Sequence, residues 1–299
     1  MTLNLAYLAC RETLPGSPHR RADAFEHDQT VACLDAALQA QGGRLSVHAW
    51  DDPDVDWGAY DAALIGTTWD YQDRPQAFLR TLERIAGRTR LANPPDLVAW
   101  NLTKTYLRDL EARGAPVIET LWVDAPDPAS WPATLAHAFD RLGCDDLVVK
   151  RQTGANAVGQ SRHRRGAAPA SPAPDGPVMI QPYLPTVASE GEFSFVFVAG
   201  ALSHALVKRP AQGDYRVQSS YGGREEALSP ADADRQAAAG VLALLDRTPL
   251  YARVDMVRDA QGGLRLMELE LIEPFLYPLQ GPELGARLVA ALDRLPAVA

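Results

Sequence analysis

Residues 251–274 read YARVDMVRDAQGGLRLMELELIEP. Two apolar runs flank a short Gly-containing turn, a pattern that predicts a β-hairpin. Side chains alternate across a strand. On the second run, Leu266, Glu268 and Glu270 should therefore share one face, with Met267, Leu269 and Leu271 on the other. If Asp259 pairs with Leu264 across a four-residue loop, Asp255 falls opposite Glu268, on the same face as Glu270. A slip of one residue would send Asp255 to the other side, so the grouping depends on register. Carboxylates gathered among apolar neighbours repel one another and are costly to dehydrate. A divalent cation with oxygen ligands is the simplest compensation, and Mg²⁺ usually brings phosphates with it. Taken alone, the same spacing also suits an exposed acidic edge on an ordinary hairpin.

The rest of the chain narrows that choice. Its 299 residues are too many for one small core and suggest two or three subdomains. A net charge of −9 argues against general nucleic-acid affinity. Cys10, Cys33 and Cys144 are far apart and match no metal spacing, which suits a reducing cytoplasm. No run approaches the length of a membrane span, and the start MTLNLAYLAC lacks the basic flank of a signal peptide. A cytoplasmic protein with no membrane partner is expected.

Strands at about 3–9, 45–49 and 62–66 alternate with helices at about 24–41 and 74–86, the second capped by Asp73. This pattern predicts a parallel α/β domain ending near Asn93-Pro94-Pro95. Ligands of such sheets gather beyond the carboxyl ends of strands. The loops Cys10–Asp28 and Thr67–Tyr71 lie there and offer Arg11, Trp69, Asp70 and Tyr71 to a substrate; Trp69 and Tyr71 equally suit local packing. A helix at 103–113, strands at 116–123 and 146–150, and a helix at 133–142 follow. The stretch RQTGANAVGQSRHRRG then reads either as a flap whose amides approach phosphate or as a surface linker. Strands at 192–198 and 202–208, a helix at 229–245 capped by Ser229, the opening hairpin and a helix at 282–295 complete the chain. The expected division is 1–98, 99–180 and 181–299. GxxxxGK[ST], GxGxxG and HExxH motifs are absent.

Five segments carry a further reading: NPPDLVAWNLTKTYL, LVVK, QPYLP followed by EGE, KRPAQGDYRVQSSYGG, and ARVDM with MELEL. In this order and at these intervals they resemble the ATP-grasp ligases, specifically the branch of prokaryotic glutathione synthetase and ribosomal-protein glutamate ligase. The resemblance covers about Asn93 to Pro274. It implies an α/β (α+β) ATP-grasp fold: an N-terminal parallel α/β domain, a central lid domain and a C-terminal antiparallel-sheet domain. It also implies ATP and two Mg²⁺ ions. Lys104 and Lys150 would then place ammonium groups on nucleotide phosphates, as mobile point charges. Gly154 and Gly159 would belong to the flap. The backbone of Gln181, Tyr183 and Leu184 would read the adenine edge, and Glu190 would accept from the ribose, with Glu192 as the competing choice. Lys208, Arg209 and Arg216 match positions that hold the γ-phosphate and the substrate carboxylate, and Asp255, Glu268 and Glu270 match the metal ligands. The chain departs from the pattern at Arg151, where the family often has proline, and at Glu270, where it commonly has asparagine.

The implied chemistry activates a carboxylate as an acyl phosphate, which a nitrogen nucleophile then attacks. The protein contributes positioning and charge neutralisation. The TTWDY loop and the MELELIEP ending look like a subgroup of small stand-alone enzymes, one of whose activities is the cycloserine-forming closure of O-ureido-D-serine. An amino-acid-like small molecule is the expected partner, and the fold family suggests a homodimer. An intermolecular amino acid or peptide ligase is the alternative activity. A non-catalytic nucleotide-binding module is the alternative class, against which the complete set of Asp255, Glu268 and two lysines argues.

Overall fold

Apolar runs of the first ninety or so residues build a parallel sheet. Its strands are β1 (Asn4–Ala9), β2 (Arg44–Ala49), β3 (Ala62–Ile65) and β4 (Arg90–Ala92), in the order β2-β1-β3-β4. β1 and β3 are buried along almost their whole length, as parallel strands covered on both faces must be. On one face Leu5 and Tyr7 meet Leu34 and Leu38 of α1 (Ala24–Gln39). On the other, Ala6 and Leu8 meet Phe78, Leu82 and Ile85 of α2 (Pro75–Ala86). Arg74, not Asp73, stands at the start of α2, and Asp73 lies in the preceding 3₁₀ turn.

This computed structural model describes residues 2–154, 158–217 and 222–296. After β4 come two short helices, α3 (Pro95–Asn101) and α4 (Tyr106–Ala112). The sequence reading expected one helix from Thr103. α3 escaped it because Asn93-Pro94-Pro95 looked like a boundary, whereas Pro95 sits in the first turn of a helix, where a missing N–H is harmless. A second sheet contains β5 (Leu121–Val123), β6 (Asp146–Arg151), β7 (Ser161–Arg164) and β8 (Val178–Pro182), antiparallel in the order β5-β8-β6-β7. The strand expected over 116–123 is regular only at its end, with a single bridge at Val117. α5 (Trp131–Leu142) covers this sheet, setting Trp131, Leu135 and Phe139 on Leu147, Val149 and Ile180. The flap expected over 153–161 lies partly outside the described residues, at 155–157.

The third sheet holds β9 (Glu192–Val198), β10 (Ala201–Arg209), β11 (Arg224–Leu228), β12 (Tyr251–Arg258) and β13 (Leu264–Glu270). They run antiparallel in the order β11-β10-β9-β12-β13. The short α6 (Thr186–Ser189) precedes it, and residues 218–221 of the loop between β10 and β11 lie outside the described residues. α7 (Asp232–Ala243) begins after the expected cap, so Ser229 does not cap it, and α8 (Leu284–Asp293) packs against α1 and the N-terminal sheet. Among the described residues no helix is long and apolar enough to cross a membrane.

The hairpin register differs from expectation. At the turn Arg258 pairs with Leu264, and Met256 with Leu266; a bulge at Met267 then brings Glu268 opposite Asp255. The bulge shifts the alternation by one. Leu264, Leu266, Leu269 and Leu271 enter the core, so Leu266 parts from Glu268 and Glu270, while Met267 lines the cleft with those two acids. The expected Asp255–Glu268 pairing is present, reached by a different route.

Candidate active site

A cleft opens where the three sheets converge. The parallel sheet contributes Trp69 and Tyr71, and the turn between α3 and α4 contributes Lys104. β6 and β8 bring Lys150 and Gln181, β10 brings Lys208, and the hairpin brings Arg253, Asp255, Glu268 and Glu270. Tyr183, Leu184, Gly154 and Arg216 also line it. Residues more than a hundred positions apart therefore share one space, and charge pairing organises it.

Asp255 is buried, and its oxygens accept from Arg253 Nε at 3.1 Å and Nη2 at 3.0 Å, and from Ser194 Oγ at 2.5 Å. Lys208 Nζ lies 3.5 Å away and pairs with buried Glu192. Burial alone would raise the Asp255 carboxyl, yet Arg253 and Lys208 pull it down to about 2. Burial and the neighbouring Asp255 charge push Glu192 up despite Lys208. Burial opposes the charge of Lys208, but the two acids more than offset it and hold the ammonium. Arg253 also donates to Glu270, whose carboxyl burial and the nearby acids raise to about 7.

Lys104 bridges the middle section and the hairpin. Its Nζ donates to the Gly154 carbonyl at 3.0 Å and pairs with Glu268. Burial disfavours its charge, and Glu268 overcomes that. For Lys150 the balance falls the other way: burial, with Lys104 adding repulsion, outweighs the attraction of Glu268 and Glu192 and leaves its ammonium easier to deprotonate than an ordinary lysine. A phosphate would relieve that imbalance. On the β8 side, Gln181 donates to Thr120 Oγ1 at 2.9 Å, and the Tyr183 ring lies beneath the Arg162 guanidinium at 3.7 Å.

Several expected residues stand elsewhere. Arg209 follows Lys208 in β10, so alternation turns it outward to Glu226. Glu190 pairs with Arg258 at 3.1 Å and does not line the cleft; Glu192 does, but beneath Lys208. Gly159 is also off the lining. Arg11 is drawn to Asp51 at 3.0 Å, and Asp70 to the Trp50 indole at 2.6 Å and to Arg74 at 2.8 Å, so of the four residues expected from the N-terminal loops only Trp69 and Tyr71 line the cleft. The sequence reading missed Arg253, Glu273 and Tyr277. Arg253 was legible, since it stands two positions before Asp255 on the same strand face. Burial and Glu270 raise the carboxyl of Glu273 to about 8. Tyr277, at φ +50°, sets its ring 5.6 Å from Arg253 and 5.9 Å from Lys208. Its positive φ is strained backbone for a tyrosine, as at many functional sites.

The expected three-carboxylate nest is not formed: among the described residues no three acids, histidines or cysteines are grouped to hold an ion by themselves. Asp255 departs because Arg253, Ser194 and Lys208 occupy its oxygens. Mg²⁺, however, is ordinarily held by one or two carboxylates, with substrate phosphates and water completing its shell. Glu268 and Glu270, side by side in a cleft that also holds Lys104 and Lys150, supply that donor chemistry. The residues fit an ion shared with phosphate.

Comparison with known proteins gives the arrangement its family. The description "D-cycloserine synthetase DcsG, N-terminal domain" matches residues 5–93. The cycloserine biosynthesis protein DcsG of Streptomyces lavendulae is 34% identical over 263 residues, covering 83% of this chain and 88% of the relative. The chain belongs to the D-cycloserine synthetase family of ATP-grasp ligases. A crystal structure of D-cycloserine synthetase DcsG superposes with a TM-score of 0.81 at 29% identity, covering 98% of this chain and 99% of that one. The ATP-grasp ligase PsnB, with its minimal precursor, shares the fold at a TM-score of 0.63 and 18% identity, over 97% of this chain and 100% of its own. The chain is accordingly a carbon–nitrogen ligase with an ATP-grasp fold, and family membership implies use of ATP and Mg²⁺.

Proposed function

We propose that this ligase closes an amino acid on itself, converting O-ureido-D-serine to D-cycloserine at the expense of ATP. The observation that carries the specific substrate is the likeness to D-cycloserine synthetase across nearly the whole chain. In this reading the substrate carboxylate takes the γ-phosphoryl group of ATP, releasing ADP. The substrate's own nitrogen then attacks the acyl carbon and phosphate leaves. Reaching cycloserine also requires loss of the carbamoyl group to water.

Within the proposal, Lys104 and Lys150 hold nucleotide phosphates, and the backbone from Gln181 to Leu184 faces the adenine. Arg253, fixed by Asp255, and Lys208 steady the charge that builds on the transferred phosphoryl group. Arg216 lines the same cleft and is offered to the substrate carboxylate or the γ-phosphate. Mg²⁺ held by Glu268 and Glu270, two ions in the fullest form of the proposal, supplies neutralisation of phosphate charge when bound. The division at 1–98, 99–180 and 181–299 belongs to the same reading, as do a cytoplasmic location and a homodimer. The test is to supply purified protein with ATP, Mg²⁺ and O-ureido-D-serine alone. ADP and cycloserine should appear together. ADP release that needs a second organic substrate would point to an intermolecular ligase, and no release would sink the assignment.

A further inference from the structure

Five acids that line the cleft are ion-paired. Asp23 pairs with Arg21, Glu192 and Asp255 with Lys208, Glu268 with Lys104, and Glu270 with Arg253. Glu273, three positions beyond Glu270, also lines the cleft, yet among the described residues no lysine or arginine lies in ion-pair range of it. Its position is nevertheless fixed. The Trp69 indole donates to its backbone carbonyl at 3.2 Å, and the Tyr71 hydroxyl lies beside its carboxyl in the same cleft. Tyr71 is itself held by Phe78, with ring centroids 5.1 Å apart. A carboxyl group thus stands at the seam between the N-terminal sheet and the end of β13. Lys104, which acts on it through space, is itself paired with Glu268, and burial beside Glu270 holds the group toward its protonated form until a cation meets it.

We propose that Glu273, set in place by Tyr71 and Trp69, receives the positively charged amino group of the substrate. The inference rests on the reading of the enzyme as an amino-acid ligase and adds which residue recognises the amine. An α-amino acid whose carboxylate is to be phosphorylated presents that carboxylate to the cations of the cleft. Its ammonium, one carbon away, then needs an acid not already neutralised by the protein. Asp255 is occupied by Arg253 and Lys208, Glu268 by Lys104 and Glu270 by Arg253, whereas Glu273 stands in the same cleft with no lysine or arginine paired to it. An ammonium there gains a charge-assisted hydrogen bond away from bulk water, where such a bond is strongest. A substrate lacking the amine would leave Glu273 with nothing to hold, so the contact also selects for amino acids.

The test pairs a variant with a substrate analogue. Wild type and E273Q are each assayed with O-ureido-D-serine and with the same molecule lacking its α-amino group, following ADP release at saturating ATP. E273Q should raise the KM for O-ureido-D-serine at least tenfold while the KM for ATP stays within about twofold. With the analogue, wild type and E273Q should perform alike. Y71F should show a smaller shift in the same direction, since it removes the neighbouring hydroxyl and leaves the charge. If E273Q is impaired equally on both substrates, or if the KM for ATP moves as much as that for the amino acid, the assignment is overturned while the ligase reading survives. A wild type that leaves O-ureido-D-serine untouched overturns the substrate reading and this assignment with it.

Discussion

Arg253 and Asp255 stand two positions apart on β12, on one face, and are joined by three hydrogen bonds of 3.0–3.1 Å. The arginine also reaches Glu270 on the neighbouring strand and the Phe275 carbonyl at 2.9 Å, so one guanidinium ties the hairpin to the segment beyond it. Substituting Arg253 with alanine strands two acids in a site that little water reaches. Breaking a buried pair in this way costs about 3–5 kcal/mol. R253A should therefore melt at a clearly lower temperature, with turnover reduced by about 100-fold or more. R253K should recover part of the stability, because one ammonium can meet one oxygen, but little of the activity, because it lacks the planar fork. Calorimetry and steady-state ADP release separate the two effects. Activity near wild type in R253K would remove Arg253 from the proposed machinery.

Lys150 and Lys104 make a contrasting pair. Glu268 keeps Lys104 charged, whereas burial and Lys104 lower the pKa of Lys150. As pH rises, Lys150 loses its proton earlier than an ordinary lysine, and its hold on phosphate weakens. The affinity for ADP should thus fall on the alkaline side of neutrality, and K150R, which stays charged, should flatten that fall. K150M should weaken ADP binding by about 10–100-fold, the worth of one charged hydrogen bond. Titration calorimetry across pH reads both outcomes.

The hairpin was legible because a Gly-Gly turn and apolar alternation both point to it. The bulge at Met267 was not, because the residue carries no local mark: an apolar side chain in an apolar strand reads as core whichever way it faces. Tertiary pairing decides the matter, since Leu266 exchanges backbone hydrogen bonds with Pro116 and Ile118. The edge strand β11, REEAL, is polar and largely exposed, so it has no hydrophobic period to betray it. At the site, residue types and order revealed the lysines and the acids. Which acid meets which cation was hidden, because Lys104 and Glu268 lie 164 positions apart. Arg209 and Asp70 failed for a simpler reason: strand alternation and nearby partners outside the cleft claim them.

Asn93 holds the N-terminal sheet to the hairpin. It is buried, its amide donates to the carbonyls of Tyr251 at 3.0 Å and Leu271 at 2.8 Å, and its oxygen accepts from Leu250 N–H at 2.7 Å. Alanine there would leave three backbone groups without partners, each costing about 1–3 kcal/mol if water cannot reach it. N93A should lower the denaturation midpoint markedly. N93D should be nearly as harmful, because a carboxylate cannot donate to two carbonyls. A midpoint within experimental error of wild type in both variants would show that the seam carries little of the stability.

His27 of α1 is buried against the parallel sheet, its Nδ1 2.6 Å from Thr67 Oγ1 and its ring edge-on to Tyr7. Burial lowers its pKa from 6.5 to about 4, so the folded protein holds it neutral. In the unfolded chain the ring takes up a proton at higher pH. The unfolded state therefore binds more protons between the two values, and stability falls as pH drops through that window. Substitution by asparagine removes the titration while keeping a polar partner for Thr67. The stability advantage of wild type over H27N should be largest above pH 6.5 and should shrink steadily toward pH 4. Urea denaturation of both proteins at several pH values measures it directly. A difference that does not change with pH would mean that the ring carries the same charge in both states.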